Sequence, residues 1–187
     1  MTESLPPPMK LSPFVTVLDT CVLAPMSVVD TLLRLAEEPA FYIPKWSEHI
    51  FQELLATLTE KFGYSEEQVE RRTRAMKSAF PDAMVFGYED LIASMTNHPE
   101  DRHVLAAAVK CGAHSIVSDN VRHFPPESLA PYGLECLTAD RFIEHQYHLD
   151  PDAFIGVLAE QAEDIGWTLP QLISRHVPSL SKLIIIR

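Results

Sequence analysis

Several signatures are missing from this 187-residue chain, and each absence removes a class of function. Cysteine occurs three times, at Cys21, Cys111 and Cys136, with no C-x-x-C pair. Neither a zinc signature nor a thioredoxin-like centre is therefore encoded, and an odd, unpatterned set fits a reducing cytoplasm. There is no G-x-G-x-x-G and no P-loop, so the common nucleotide cradles are excluded. Asp19-Thr20-Cys21 begins like a phosphatase nucleophile motif but has Cys21 where that motif needs a second Asp. The longest late apolar run, Leu183 to Ile186, is too short to span a membrane, so no membrane partner is expected. The start, Met1 to Phe14, carries Pro6, Pro7 and Pro8 and no basic-then-apolar pattern, so a signal peptide is not expected. Internal repeats and low-complexity segments are also lacking.

Positive charge is scarce as well. Fifteen Lys and Arg face 26 Asp and Glu, for a formal charge of −11. A passive nucleic-acid binder needs the opposite sign to neutralise phosphates. An enzyme that gathers carboxylates around a cation survives this test, because the ion reverses the local charge.

What is present reads as one folded domain with a short appendage: 47% hydrophobic and 22% charged residues are near the globular average. Pro6, Pro7 and Pro8 predict a stiff stretch within a flexible N-terminal lead-in over residues 1–13. Phe14 to Leu18 is β-rich and ends in Asp19, as a buried strand would. A helix from about Val28 to Glu37 is closed by Pro39. Phe41 to Ile43 is a short second strand, stopped by Pro44. Ser47 caps a long helix with Ile50, Phe51, Leu54, Leu55 and Leu58 at helical spacing, and Gly63 ends it. Ser65 and Gln68 have the spacing of a capping box for a helix over Glu66 to Ala79, terminated by Pro81.

Ala83 to Phe86 is a third strand and Glu89 to Met95 a short helix. Asp101 to Cys111 is an alanine-rich helix ended by Gly112. Ser115 to Ser118 is a fourth strand and Leu134 to Leu137 a fifth. Alternating strands and helices predict an α/β fold with a central, mostly parallel sheet. After Asp140 the strands stop, and from about Asp150 two helices are expected, broken at Pro170.

The carboxylates fall in telling places. Asp19 ends the first strand, and Asp119 and Asn120 follow the fourth. Ligands of open parallel sheets gather at that edge. Asp101 starts a helix, where the dipole favours its charge. Glu53 lies on a helix stripe with Ile50, Leu54 and Leu58, a costly position unless something pairs with it. Oxygen ligands converging on one edge suit the hard cations Mg²⁺ or Mn²⁺. No Cys or His cluster accompanies them, which disfavours zinc. His98 with His103, and His145 with His148, lack partner ligands and read as solvated or capping side chains. Taken singly, each acidic residue reads equally well as a cap or a turn residue.

Arg71, Arg72, Arg74 and Lys77 cluster on the Glu66 to Ala79 helix. They are either a solvated face pairing with Glu66, Glu67 and Glu70 or a rail for RNA phosphates, and the first reading is favoured. Trp46 and Trp167 read as packing residues.

Four motifs occur in order: Leu18-Asp19-Thr20; Gln52-Glu53-Leu54; His98-Pro99-Glu100-Asp101-Arg102-His103-Val104-Leu105-Ala106-Ala107-Ala108; and Ile116-Val117-Ser118-Asp119-Asn120 with His123-Phe124-Pro125. Over about residues 14 to 145 this order resembles the PIN domain, and most of all the VapC-like toxins that carry Asp-Arg-His-Val-Leu-Ala-Ala-Ala and an Asn in the last motif. The resemblance implies a three-layer α/β/α fold, with residues 150–187 as a helical extension. It also implies an acidic site for Mg²⁺ or Mn²⁺, and hydrolysis of RNA phosphodiesters.

By matching position Asp19, Glu53 and Asp101 take the family's first three acidic places, as catalytic residues and metal ligands. Asn120 stands at the fourth, where the family has Asp. Its carboxamide offers oxygen without charge, and Asp119 beside it substitutes as a ligand if the chain turns there. Arg71, Arg72, Arg74, Arg102 and Arg122 are the candidate contacts to RNA. The resemblance further implies a cytoplasmic homodimer and a small cognate antitoxin as partner. The alternatives are a PIN-like module that binds RNA or protein without catalysis, and a metal-dependent nuclease acting on DNA.

Overall fold

The computed structural model describes residues 14–37 and 40–184, the last three as backbone only. The lead-in over residues 1–13, the helix stop at Pro39 and the end of the Leu183 to Ile186 run lie outside the described residues.

Five parallel strands, β1 (Val15–Leu18), β2 (Ile43–Ser47), β3 (Met84–Val85), β4 (Ser115–Val117) and β5 (Glu135–Leu137), form one sheet in the order β3-β2-β1-β4-β5. The α/β fold with a parallel central sheet, expected from the alternation of elements, is what forms. β1 is central, and Val17 and Leu18 are fully buried, as a strand covered on both faces requires. The chain winds outward from β1 to β2 and β3, then returns past β1 to lay down β4 and β5. The strand order therefore reverses between β1 and β4. At such a reversal the loops leaving the two strands part to opposite sides, and a crevice opens at the carboxyl ends.

The helical connections are α1 (Thr20–Leu23) and α2 (Met26–Arg34), then α3 (Glu48–Phe62) and α4 (Glu66–Ala79), then α5 (Arg102–Lys110). α5 packs across β1, β2 and β4. Its run Val104 to Ala108 is fully buried, and the small alanines let the helix approach the sheet closely. α6 (Pro126–Leu129) joins β4 to β5. Local signals set the helix ends. Ser47 accepts from the Ile50 amide, Gly63 closes α3 in the left-handed region at φ 70°, and Ser65 with Gln68 makes the reciprocal capping box.

Proline is where the sequence-based expectations need correction. Pro44 does not stop β2 but lies within it, opposite Thr16. The Ile43 amide points to β1, bonding the Phe14 carbonyl, so the Pro44 nitrogen turns to the other side. There β3 pairs only from Trp46 onward, and no ladder bond is lost. Pro170 likewise does not break the terminal helices. It sits in the first turn of α9 (Leu169–His176), where no amide is needed. The break lies at Gly166, whose φ is 70°. The helical C-terminal region comprises α7 (Ala139–Leu149), α8 (Pro151–Asp164), α9 and α10 (Pro178–Ile184), so three helices, not two, follow Asp150. The stretch expected as a helix over Glu89 to Met95 is a 3-10 turn, Glu89–Ser94.

The C-terminal helices are joined to the rest by polar as well as apolar contacts. Gln161 of α8 is fully buried; it accepts from Thr31 (2.8 Å) and donates to Asp30 (2.9 Å) on α2. Arg34 bridges Asp30 and Asp164 beside it. Phe154 packs edge-on against Phe41, and Phe142 against Tyr42. Replacing Gln161 by Leu removes both buried bonds, and the unfolding free energy should fall by about 1–3 kcal/mol. A lower urea midpoint at unchanged slope is the expected observation, and an unmoved midpoint would show that α8 docks by apolar contact alone.

Candidate active site

At the reversal point two strand ends meet. The Asp19 amide donates to the Val117 carbonyl at 3.0 Å, so the backbone carries β1–β4 pairing up to Asp19. Asp19 then leaves the strand and caps α1, accepting from the Thr20 amide at 2.7 Å. Its other oxygen accepts from the Ser118 hydroxyl at 2.6 Å and the Cys21 thiol at 3.2 Å. Only 3% of Asp19 is exposed. Burial pushes its carboxyl above the usual carboxylate range, against the lowering effect of Ser118 and Cys21, and the charge of Asp101 adds to the rise. Burial and the Asp19 charge in turn push the Cys21 thiol up to about 12, so at neutral pH it stays protonated as a donor.

Thr20 links Asp19 to Glu53. Its amide serves the first and its hydroxyl donates to Glu53 Oε2 at 2.9 Å. Glu53 Oε1 lies 2.9 Å from His103 Nε2. The Glu53 side chain is 41% exposed, so it borders the crevice and is not sunk in the core stripe that helical spacing suggested. Burial raises its carboxyl, but the His103 bond and charge, with Thr20 and His49, outweigh this and hold it below the ordinary value. Asp101 stands at the N-terminus of α5 yet its side chain caps no amide there. It turns to His123, whose Nδ1 lies 2.5 Å from Oδ2. Among the described residues no Lys or Arg pairs with Asp19, Glu53 or Asp101; histidines sit against Glu53 and Asp101.

Ser118 orders the fourth motif. Its hydroxyl accepts from the Asn120 amide at 3.1 Å while donating to Asp19. Asn120 is exposed beyond β4. Asp119 turns elsewhere and accepts from the Ala139 amide at the start of α7.

His145 and His148 are exposed, as expected of solvated side chains, but His98 and His103 do not lack partners. His103 is buried against Glu53, and His98 stacks on His123 with ring centroids 4.1 Å apart. A histidine–carboxylate group does therefore accompany the acidic residues: His98, Asp101 and His123 place ligand atoms within 4.8 Å of one another. Asp19 and Glu53 are not in that group. No local spacing points to it, since Asp101 and His123 are 22 residues apart on either side of β4.

The arginines separate. Arg72 is spent inside the fold, its guanidinium donating to the Leu23 and Ala24 carbonyls. Arg102 donates to the Asn97 carbonyl, and Arg122 lines an open cleft of about 550 Å³ with Phe124, Leu129 and Cys136. Arg71 and Arg74 are exposed, and among the described residues neither pairs with Glu66, Glu67 or Glu70; Lys77 pairs with Glu48 instead. Trp46 is fully buried against Phe51 and Phe80, and Trp167 packs on His176, as packing residues should.

The two shifted carboxylates make opposite contributions to stability. Asp19 binds its proton more tightly folded than unfolded, so its contribution is lost as pH rises from the ordinary carboxylate value through its raised one. The pairing of Glu53 is present above the ordinary value and lost as pH falls. Asp19→Asn removes only the first. In chelator-treated protein the variant should gain stability relative to wild type as pH rises from about 4 to about 7, read from urea midpoints. A pH-independent difference would contradict the raised proton affinity.

No family model matches the chain, and no solved structure matches it significantly. Over 76 residues it is 49% identical to a protein of Mycobacterium tuberculosis (strain ATCC 25618 / H37Rv) named "Putative ribonuclease VapC50". The match covers 41% of this chain and 45% of that protein, so the chain spans less than half the length of the relative it matches. With the parallel five-stranded sheet, that similarity supports the resemblance to VapC-like PIN-domain proteins read from the motifs.

Proposed function

We propose that the protein is a divalent-metal-dependent endoribonuclease, the toxin of a toxin–antitoxin pair. The observation that carries this reading is the buried Asp19 carboxylate at the sheet reversal, with the charge of Asp101 reaching it and, among the described residues, no Lys or Arg to balance either. Uncompensated oxygen donors of this kind fit a hard dication, Mg²⁺ or Mn²⁺. When bound, such an ion supplies charge to offset that developing on a phosphodiester and lowers the pKa of a water.

Asp19 and Asp101 would hold the ion, with the carbonyl oxygen of Asn120 as a neutral fourth donor. Ser118 and the Thr20 amide fix the Asp19 oxygens in place. Glu53, kept ionised by His103 and Thr20, is suited to orient a water and take its proton at the carboxylate. Asp119, engaged with α7, is the weaker choice for a ligand. For RNA phosphates Arg71, Arg74, Arg102 and Arg122 come before Arg72, whose guanidinium is already committed. So few available arginines on a chain of −11 would guide RNA without binding nucleic acid broadly. Residues 14–145 are the PIN-like unit in this reading, and residues 150–187 its helical extension. A small antitoxin, a homodimer and a cytoplasmic location complete it.

The test is cleavage of a broad RNA pool by antitoxin-free protein with Mg²⁺ or Mn²⁺. Wild type should cut, and Asp19→Asn or Asp101→Asn should lose about 10²–10³-fold in rate while keeping the fold. Asn120→Asp should preserve or raise cleavage. Cutting single-stranded DNA equally well would turn the reading to a DNA nuclease. No RNA cleavage by wild type or Asn120→Asp would leave a binding module without catalysis. Light scattering should find a dimer at micromolar protein, and monomer throughout would remove that partner.

A further inference from the structure

Two side chains outside the acidic set, His98 and His123, converge on one carboxylate oxygen of Asp101. His123 Nδ1 lies 2.5 Å from Asp101 Oδ2, and His98 Nδ1 lies 3.9 Å from the same atom. The two imidazoles are stacked, with centroids 4.1 Å apart and planes 14° apart. Their backbones are tied together, since the His98 amide donates to the His123 carbonyl at 3.0 Å. Arg102 holds the preceding residue by its carbonyl, Asn97 O. The pairing of the two rings is thus built into the backbone, and both present the same nitrogen to Asp101.

We propose that His98, Asp101 and His123 form a binding site for a borderline transition-metal dication of the Zn²⁺ or Co²⁺ type. Two imidazole nitrogens and one carboxylate oxygen are a donor set that such ions take and Mg²⁺ does not. The spacing fits. Two ligands each about 2.1 Å from a tetrahedral ion stand about 3.4 Å apart. The observed 2.5 and 3.9 Å bracket that separation, so small side-chain rotations suffice. Without an ion the short His123–Asp101 contact is a hydrogen bond, and its proton leaves when the ion enters. His98 is 41% exposed, which gives an ion a path in and leaves a position for water. The site shares Asp101 with the proposed catalytic set but uses neither Asp19 nor Glu53.

The test is titration of the chelator-treated full chain with Co²⁺, followed by visible absorption and without RNA. Wild type and Asp19→Asn should each bind one Co²⁺, displaced by Zn²⁺ and not by excess Mg²⁺. His98→Ala and His123→Ala should weaken binding by more than about tenfold. His98 is exposed, so its variant should fold, and circular dichroism checks this. Co²⁺ titrations of the His variants that match wild type would overturn the site. So would a band lost in Asp19→Asn and kept in the histidine variants, or no band at all. Since no cleavage is measured, such a failure leaves the ribonuclease reading to its own test.

Discussion

A carboxylate taken out of water must be solvated by something else, and much of this protein's active edge is arranged to do that for Asp19. The hydrogen bonds from Thr20, Ser118 and Cys21 supply partial compensation, drawn from two segments of chain. They do not cancel the cost of burial, because the carboxyl still binds its proton more tightly than in water. Cys21 stays protonated and donates, and Ser118 is oriented by the Asn120 amide it serves. A basic side chain at this point would end the deficit, and none is there among the described residues.

The same economy of donors runs outward. Among the described residues, Glu53 and Asp101 each meet a histidine and no Lys or Arg. A histidine can bond a carboxylate while neutral, so it orients the group without permanently neutralising it. An Arg in the same place would hold the carboxylate in a fixed ion pair and compete with any incoming cation. The arginines of α4 and α5 are accordingly turned to backbone carbonyls or to solvent. The negative net charge and the metal-dependent reading are therefore compatible: the ion would supply the positive charge that the side chains withhold.

Packing fixes the position of this edge. α5 can place Asp101 near Asp19 only because its buried face is largely alanine, allowing the helix to lie close over β1, β2 and β4. The C-terminal helices reinforce the opposite connection, where Gln161 and Arg34 secure α8 to α2. α2 follows α1, the short helix that Asp19 caps, so the extension buttresses the segment leaving the site.

The sequence by itself determined whatever depends on neighbours a few residues apart. The caps at Ser47 and Ser65, the stop at Gly63 and the ends of β1 and β4 are of this kind, because a cap bond spans about three residues. The parallel α/β class followed from the alternation of such elements, and the order of acidic motifs followed from their strand and helix ends. Only the tertiary structure decided the rest. Pro44 reads as a stop until β3 is seen to begin beyond it, and Pro170 reads as a break until it is seen in a first turn. Asp119 and Asn120 are adjacent in sequence, yet the start of α7 draws one carboxylate away while Ser118 holds the other residue's amide. The histidines were least legible of all. His103 meets Glu53 across 50 residues and His123 meets Asp101 across 22, and no local spacing encodes contacts that exist only once the strands have taken their order in the sheet.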